Sequence, residues 1–143
     1  MASEPVFAQS TTSSLSQLAV SMEQRLWDIK LAHRPKSFWY PYPTLNNLAH
    51  LEQLSSNVGF NLLELCKGEC GKVADIGAGD GDLAFFLESQ GLSVDVIDNE
   101  ETNFNSLKGA RALKEALNSS VNIRSVDLDS QFALPSEIGR AHV

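Results

Sequence analysis

The first regular pattern along the chain is a helical spacing of apolar residues. These residues recur every three or four positions, which predicts an amphipathic helix. Ser13 or Ser14 stands where a side chain can cap the start of this helix, and Pro35 ends it. The pattern is typical of a helix that packs on a core, and its apolar positions are Leu15, Leu18, Met22, Leu26 and Ile29.

A second helical pattern follows and is interrupted once. It starts after Asn46 or Asn47, either of which can cap it, and Gly59 lies within it. Gly68 stands where a glycine ends a helix. The pattern predicts a second helix of the same arm, with apolar positions Leu48, Leu51, Leu54, Val58, Leu62 and Leu65.

From residue 72 onward, short apolar runs alternate with helical patterns. This alternation is typical of an α/β fold, in which each helix crosses between neighbouring parallel strands. Because such crossovers are right-handed, three strands take the order 3-2-1, the first half of a Rossmann-like, doubly wound parallel sheet. We therefore expect an N-terminal helical arm followed by such a sheet, truncated to about three strands. The expected strands span residues 72–76, 93–98 and 121–126, and the expected helices span 81–90 and 103–118.

Three alternating glycines join the first strand to the first crossover helix. Gly77, Gly79 and Gly81 lack Cβ atoms, so they can adopt positive φ and let a ligand approach the main chain. The start of the following helix favours an anionic ligand group. The dinucleotide fingerprint G-x-G-x-x-G requires a third glycine where this chain has Asp82. A nicotinamide-dependent oxidoreductase is therefore the alternative enzyme class.

Acidic residues follow the other two strands. Asp98 ends the second strand, and Asp127 follows the third. In an open parallel sheet, an acid at the carboxyl end of the second strand reaches the ribose of a bound nucleotide. One such acid alone is better explained as a solvated charge. Several of them in register with a glycine turn favour cofactor binding.

The segment from Val73 to Asp82 resembles motif I of the class I S-adenosylmethionine-dependent methyltransferases, whose pattern is apolar-acid-apolar-G-x-G-x-G. The resemblance covers residues 72–129 and implies S-adenosyl-L-methionine as the cofactor. It implies that Asp75 braces the glycine turn and contacts the methionine ammonium through water, that Asp98 holds the ribose, and that Asp127 accepts a hydrogen bond from the adenine amine. The family's acceptor-side residues lie beyond the third strand, so no catalytic residue is assigned. The implied cofactor-binding residues are Asp75, Gly77, Ala78, Gly79, Gly81, Asp98, Asn99, Asp127 and Leu128.

An aromatic and proline-rich segment precedes the glycine turn. Residues 37–43 carry four aromatic side chains and two prolines. Because aromatic rings dominate the energetics of cores, the segment is expected first to dock the helical arm onto the sheet. N-terminal additions to the methyltransferases that this chain resembles frequently cover the cofactor or build the substrate site. That resemblance makes Trp39, Tyr40 and Tyr42 candidates for substrate contact.

Composition limits the partners and the compartment. The chain has 143 residues and a formal net charge of −7, so it lacks the electrostatic footprint of a nucleic-acid-binding protein. No apolar run is long enough to span a membrane and the N-terminus lacks the features of a signal peptide, so a cytoplasmic protein is expected. Cys66 and Cys70 have no further ligands at the spacing of a zinc site, so we expect reduced thiols and no metal.

Residues 39–43, together with Asp98 and Asn99, are also similar to uncharacterised bacterial relatives of the tRNA wobble-uridine methyltransferases. This similarity leaves RNA open as an acceptor for a longer protein, beside a small molecule. The acidic chain itself offers no basic patch with which to hold RNA. The methyl acceptor is therefore not assigned.

The chain is expected to divide into four parts. Residues 1–14 form a disordered tail, residues 15–71 the helical arm, and residues 72–137 a partial methyltransferase domain. Residues 138–143 resemble the translation of a sequencing adapter and are expected to be a non-native tail. We therefore expect an inactive fragment that holds the cofactor-binding half, with residues 72–76 as an open sheet edge. A non-catalytic interaction module with a docking arm is the remaining alternative.

Overall fold

Helix α1 opens the part of the chain that the computed structural model describes, which comprises residues 14–130 and the backbone of residues 140–142. The helix spans Leu15–His33. The Ser14 hydroxyl accepts a hydrogen bond from the backbone N–H of Gln17, whose side chain accepts one from the N–H of Ser14. This reciprocal capping box confirms Ser14 as the cap. The rest of the predicted disordered tail lies outside the described residues.

The remainder of the arm consists of short elements. Two 3₁₀ helices, Lys36–Phe38 and Thr44–Asn47, lead into α2, Leu48–Asn57, and α3, Leu62–Lys67. Gly59 has a φ of +80° and separates α2 from α3, as predicted. The prediction that Asn46 or Asn47 caps the second helix is wrong. The backbone enters α2 directly from a 3₁₀ turn, and the cap residue makes no side-chain hydrogen bond.

Most of the apolar positions of this second segment face solvent. Leu48 is buried, whereas Leu51, Leu54, Val58 and Leu65 are exposed. Helix α1 packs against both helices of the sheet domain, and the second 3₁₀ helix and α3 also contact this domain. The periodicity of the apolar residues in α2 therefore predicts a helix correctly, but it does not identify the face that packs on the core.

The sheet domain confirms the predicted α/β class and strand order. Strand β1, Lys72–Ile76, lies beside β2, Ser93–Asp98, which lies beside β3, Asn122–Ser125. All three are parallel, with Val73 opposite Val94 and Asp95 opposite Asn122. Helices α4, Asp82–Ser89, and α5, Lys108–Leu117, make the two crossovers. The carboxyl ends of the strands therefore meet at one edge of the domain.

A short fourth strand lies at the other side of β1. Strand β4, Arg140–His142, pairs in parallel with β1 and places Arg140 opposite Val73. The prediction that residues 72–76 form an open edge is therefore wrong over Val73 to Asp75. An edge strand offers unpaired backbone N–H and C=O groups, and any extended backbone can satisfy them whatever its side chains. That residues 138–143 are non-native stays a prediction.

Helix α5 begins five residues later than predicted, at Lys108 rather than at residue 103. The Asn103 side chain accepts a hydrogen bond from the N–H of Leu107, and the Asn105 side chain accepts one from the N–H of Gly109. Asparagine side chains compete in this way with helical hydrogen bonds. The segment between β2 and α5 is therefore a folded loop.

One apolar core joins the arm to the sheet domain. Leu26 of α1 and Trp39 belong to the same buried cluster as Phe85 and Phe86 of α4 and Val96 of β2. The arm is thus part of the folded unit. Within the described residues, no helix combines the length and the apolar character that crossing a membrane requires.

Candidate functional site

An open cleft of about 180 Å³ lies at the carboxyl ends of β1, β2 and β3. Strand ends that are distant in sequence meet there, as the parallel order requires. Its lining brings together five of the predicted cofactor residues, namely Gly77, Asp98, Asn99, Asp127 and Leu128, along with Ile76, Ile97, Thr102, Val126 and Asp129. The other four predicted residues, Asp75, Ala78, Gly79 and Gly81, lie beside or beneath the cleft without lining it.

The three glycines of the turn have different surroundings. All three have positive φ, at +69°, +63° and +87° for Gly77, Gly79 and Gly81. A Cβ built on Gly77 would meet nothing within 4 Å, so its backbone is open to a ligand. A Cβ on Gly79 would meet the ring of Tyr40, and one on Gly81 would meet Phe85. Gly81 therefore serves the packing of α4 against the sheet.

Asp98 is held in place by three hydrogen bonds. Its Oδ2 accepts from the N–H of Gly79 and from Asn103 Nδ2, both at 3.0 Å, and its Oδ1 accepts from the N–H of Asn99 at 2.8 Å. A carboxylate offers about four lone-pair positions. Asp98 can therefore accept one further hydrogen bond from a ligand without any rearrangement of its neighbours.

Asp127 also lines the cleft and is fixed by the turn after β3. Its Oδ1 accepts from the N–H of Asp129 at 3.1 Å, and its Oδ2 accepts from the Ser130 hydroxyl at 2.8 Å. The two predicted ligand-binding carboxylates, Asp98 and Asp127, thus both border the cleft. Each is oriented by its own neighbours.

Asp75 lies beneath the glycine turn and is buried. Burial raises its pKa to about 7, although a hydrogen bond from the backbone of Ala84 acts in the opposite direction. Ala84 lies in the first turn of α4, where Gly81 caps the helix without a side chain. Asp75 therefore supplies an acceptor to this helix start, while its Oδ2 has no hydrogen-bond partner.

The three aromatic substrate candidates are placed very differently. Trp39 is fully buried, and its Nε1–H donates to the carbonyl of Lys30 at 3.0 Å. Trp39 therefore docks the arm onto the core, and its side chain is not available to a substrate in this structure. Tyr42 is 72% exposed. Tyr40 is half-buried and lies over the glycine turn.

Tyr40 is tied to two segments of the sheet domain. Its N–H donates to Asp80 Oδ2, and its hydroxyl accepts from the N–H of Phe104, each at 2.8 Å. Its ring contacts that of Phe104, with the centroids 5.5 Å apart. Burial raises the pKa of Tyr40 above its ordinary value. The phenol is therefore neutral at physiological pH.

Sequence reasoning missed a buried ion-pair cluster behind the turn. Lys30 Nζ of α1 lies 2.9 Å from Asp82 Oδ2 and 3.8 Å from Asp80 Oδ2. Asp80 Oδ1 also accepts a hydrogen bond from Asn105 Nδ2. Lys30 follows Leu26 at helical spacing on the buried face of α1. The sequence did contain a signal for this cluster, namely a lysine on the core face of a helix. A buried lysine is rarely without an acidic partner, so its position predicts an ion pair.

A second acid of α1 joins this cluster. The Glu23 carboxyl faces that of Asp82 and also interacts with the Trp27 side chain. Burial first, and then the charge of Asp82, raise the pKa of Glu23 to about 7. A proton shared between the two carboxyls relieves their repulsion. Burial also raises the pKa of Asp82.

This cluster predicts a fall of stability with increasing pH. Because folding raises the pKa of Glu23 from 4.5 to about 7, the folded chain binds this proton more tightly than the unfolded chain. The stabilisation that this proton contributes is fully present below pH 4.5 and is lost as the pH rises through 7. Asp75 acts in the same direction. We expect Glu23→Gln to raise the free energy of unfolding at pH 8 by about 1–3 kcal/mol, since glutamine resembles the protonated acid.

Urea unfolding at pH 5 and pH 8 measures this effect. The gain from Glu23→Gln should be larger at pH 8 than at pH 5. Glu101→Gln, at an exposed position, is the matched control and should change neither value by more than about 0.5 kcal/mol. An equal effect of Glu23→Gln at both pH values would contradict the raised pKa of Glu23 in the folded chain.

The comparisons with known proteins agree with this geometry. The family described as tellurite resistance protein TehB matches residues 53–136, which is more than half of the chain and includes the glycine turn, Asp98 and Asp127. No curated protein and no solved structure matches the chain. The resemblance to class I methyltransferases is thereby confirmed. The chain belongs to the TehB family, a family of S-adenosylmethionine-dependent methyltransferases.

Proposed function

We propose that this chain binds S-adenosylmethionine in the cleft at the carboxyl ends of β1–β3 and supplies the cofactor half of a methyltransferase. One observation supports the proposal above all. The exposed backbone of Gly77 and two carboxylates with fixed orientations, those of Asp98 and Asp127, line the same cleft. The family assignment gives the reaction class.

The residues present fit the adenosine portion of this cofactor. Asp98 has one acceptor position left for a ribose hydroxyl, and Asp127, which lines the same cleft, can accept a hydrogen bond from the exocyclic amine of adenine. The cleft, at about 180 Å³, is smaller than the roughly 300–1,000 Å³ of a pocket for a whole ligand. The methionine portion would therefore extend out of it, along the turn towards Gly79 and Tyr40.

The bound cofactor supplies a methyl group that is already activated by its positive sulfonium. The task of the chain is therefore to hold the donor and align it with an acceptor, which is the catalytic contribution of proximity and orientation. Asp98 and Asp127 fix one end of the donor, and the turn from Gly77 to Gly79 guides the other. No residue of the chain is assigned as a base.

For the acceptor we propose a small molecule. The family name refers to tellurite resistance, so tellurite is a first acceptor to test with a complete relative. The net charge of −7 favours a small molecule over RNA, because an acidic surface repels a phosphate backbone. The nicotinamide alternative is weakened by Asp82, which occupies the place of the third glycine and is buried in an ion pair with Lys30.

Asp98→Asn tests the proposal. We expect the change to weaken binding of S-adenosylhomocysteine by about 0.5–2 kcal/mol, the difference between a hydrogen bond to a charged acceptor and one to a neutral amide. Isothermal titration or NMR titration gives the dissociation constant. Asp95→Asn is the matched control, since Asp95 lies on the same strand and pairs with Arg124 away from the cleft. Tight binding of NAD in place of S-adenosylhomocysteine, or equal effects of the two variants, would overturn the proposal.

A further inference from the structure

Helix α2 presents an apolar stripe to solvent, which consists of Leu51, Leu54 and Val58, the residue that follows the helix. These side chains are 47%, 64% and 68% exposed. Their spacing of three and then four residues makes them neighbours on one side of the helix. Leu48, which is buried, and Ser55, which is half-buried, lie on the side that faces the rest of the arm. Contiguous apolar surface of this kind indicates an interaction site, whereas scattered single side chains do not.

The surroundings of the α2 stripe are almost free of charge. Residues 44–63 include a single formal charge, that of Glu52, in a chain whose formal net charge is −7. Glu52 is half-buried and lines the groove between α1 and the end of α2, on a different side of the helix from the stripe. The exposed polar residues of the helix are His50, Gln53 and Asn57, together with Ser56. The stripe is therefore an uncharged surface on an acidic chain.

This distribution of charge favours a second copy of the chain as the partner. Two copies repel each other through their net charge, so they approach at the lowest electrostatic cost where the facing surfaces carry no charge. A basic partner would instead gain most on an acidic surface. Helices that lie on membranes are typically rich in lysine and arginine on their polar face, and residues 44–63 contain neither.

The α2 stripe is also self-complementary, because its spacing is that of the seam between two paired helices. We propose that two copies of the chain pair through α2, with the helices antiparallel about a twofold axis at Leu54. Such an axis places Leu54 beside its own copy and Leu51 of each chain beside Val58 of the other. Helix α2 has only ten residues, so the interface is small and the dimer is weak. This interface is independent of the proposed function.

Sedimentation equilibrium of the 143-residue chain and of two variants tests this interface. A small interface gives a dissociation constant of about 10–100 µM, so the molar mass at about 200 µM protein should exceed that of the monomer and fall on dilution. Leu54→Glu and Leu54→Lys should each weaken the dimer by more than about tenfold, because each places two like charges together at the axis. An equal mixture of the two variants should restore the dimer, because the axis then joins a carboxylate to an ammonium.

Leu31→Glu is the matched control, because Leu31 is an exposed apolar residue of α1 outside the stripe, and it should leave the dimer unchanged. Since Leu54 is exposed, both of its variants should keep the fold, which circular dichroism checks. A monomeric unchanged chain, a dimer that persists in both Leu54 variants, or a mixture of these variants that stays monomeric would each overturn the proposal. A dimer that forms through Leu54 only after residues 1–13 are removed would also overturn it, because the N-terminal segment would then be the occupant of the stripe.

Discussion

Replacing Lys30 by methionine is expected to lower the free energy of unfolding by about 3–5 kcal/mol, the range for removing one partner of a buried ion pair. Lys30 is buried, and its ammonium lies 2.9 Å from Asp82 and 3.8 Å from Asp80, which are also buried. Methionine preserves the length and the apolar stem of the side chain. The loss therefore comes from the carboxylates that are left without a cation.

Urea unfolding of three variants separates charge from packing. Lys36→Met removes an exposed lysine from the same arm and should cost less than about 0.5 kcal/mol. The double variant Lys30→Met/Asp82→Asn should recover part of the stability, because it removes a buried charge of each sign. A Lys30→Met variant within 1 kcal/mol of the unchanged chain would show that the cluster is not an energetic link between the arm and the glycine turn.

Gly109→Ala is expected to destabilise the chain by about 2–4 kcal/mol, although alanine is normally the better helix former by about 1 kcal/mol. Gly109 lies in the first turn of α5. A Cβ there would clash with Asp80 Oδ1 and Asn105 Nδ2 and would press on the ring of Trp39. These atoms cannot give way cheaply, because Asn105 and Asp80 are hydrogen-bonded to each other and Trp39 is fully buried.

Chemical unfolding and the melting temperature measure the effect of Gly109→Ala. Ala116→Gly, at an exposed position of the same helix, is the control for propensity and should destabilise by about 0.5–1 kcal/mol. A variant with alanine at position 109 that is as stable as the unchanged chain would mean that Asp80 can shift. The network around Asp80 would then not fix the position of Tyr40.

Much of the sheet domain could be predicted because its signals are local. The apolar runs gave the extents of β1 and β2, and the handedness of the crossovers gave the order 3-2-1. The acids Asp98 and Asp127 reached one cleft because parallel strands bring their carboxyl ends together. The predicted start of α5 was wrong because the side chains of Asn103 and Asn105 replace helical hydrogen bonds. The spacing of apolar residues does not reveal such side-chain hydrogen bonds.

The amino-acid sequence by itself determined the strand–turn–helix unit around Gly77, Gly79 and Gly81 and the α/β class. Both follow from residue spacing and from the freedom of glycine at positive φ. Only the tertiary structure decided that Tyr40 covers Gly79 and that Lys30 pairs with Asp82. It also decided that β4 pairs with β1 and that most of the apolar positions of α2 stay exposed. The physical reason is that each of these features depends on contacts between segments that are distant in the sequence. The spacing of residues along the chain does not specify those contacts.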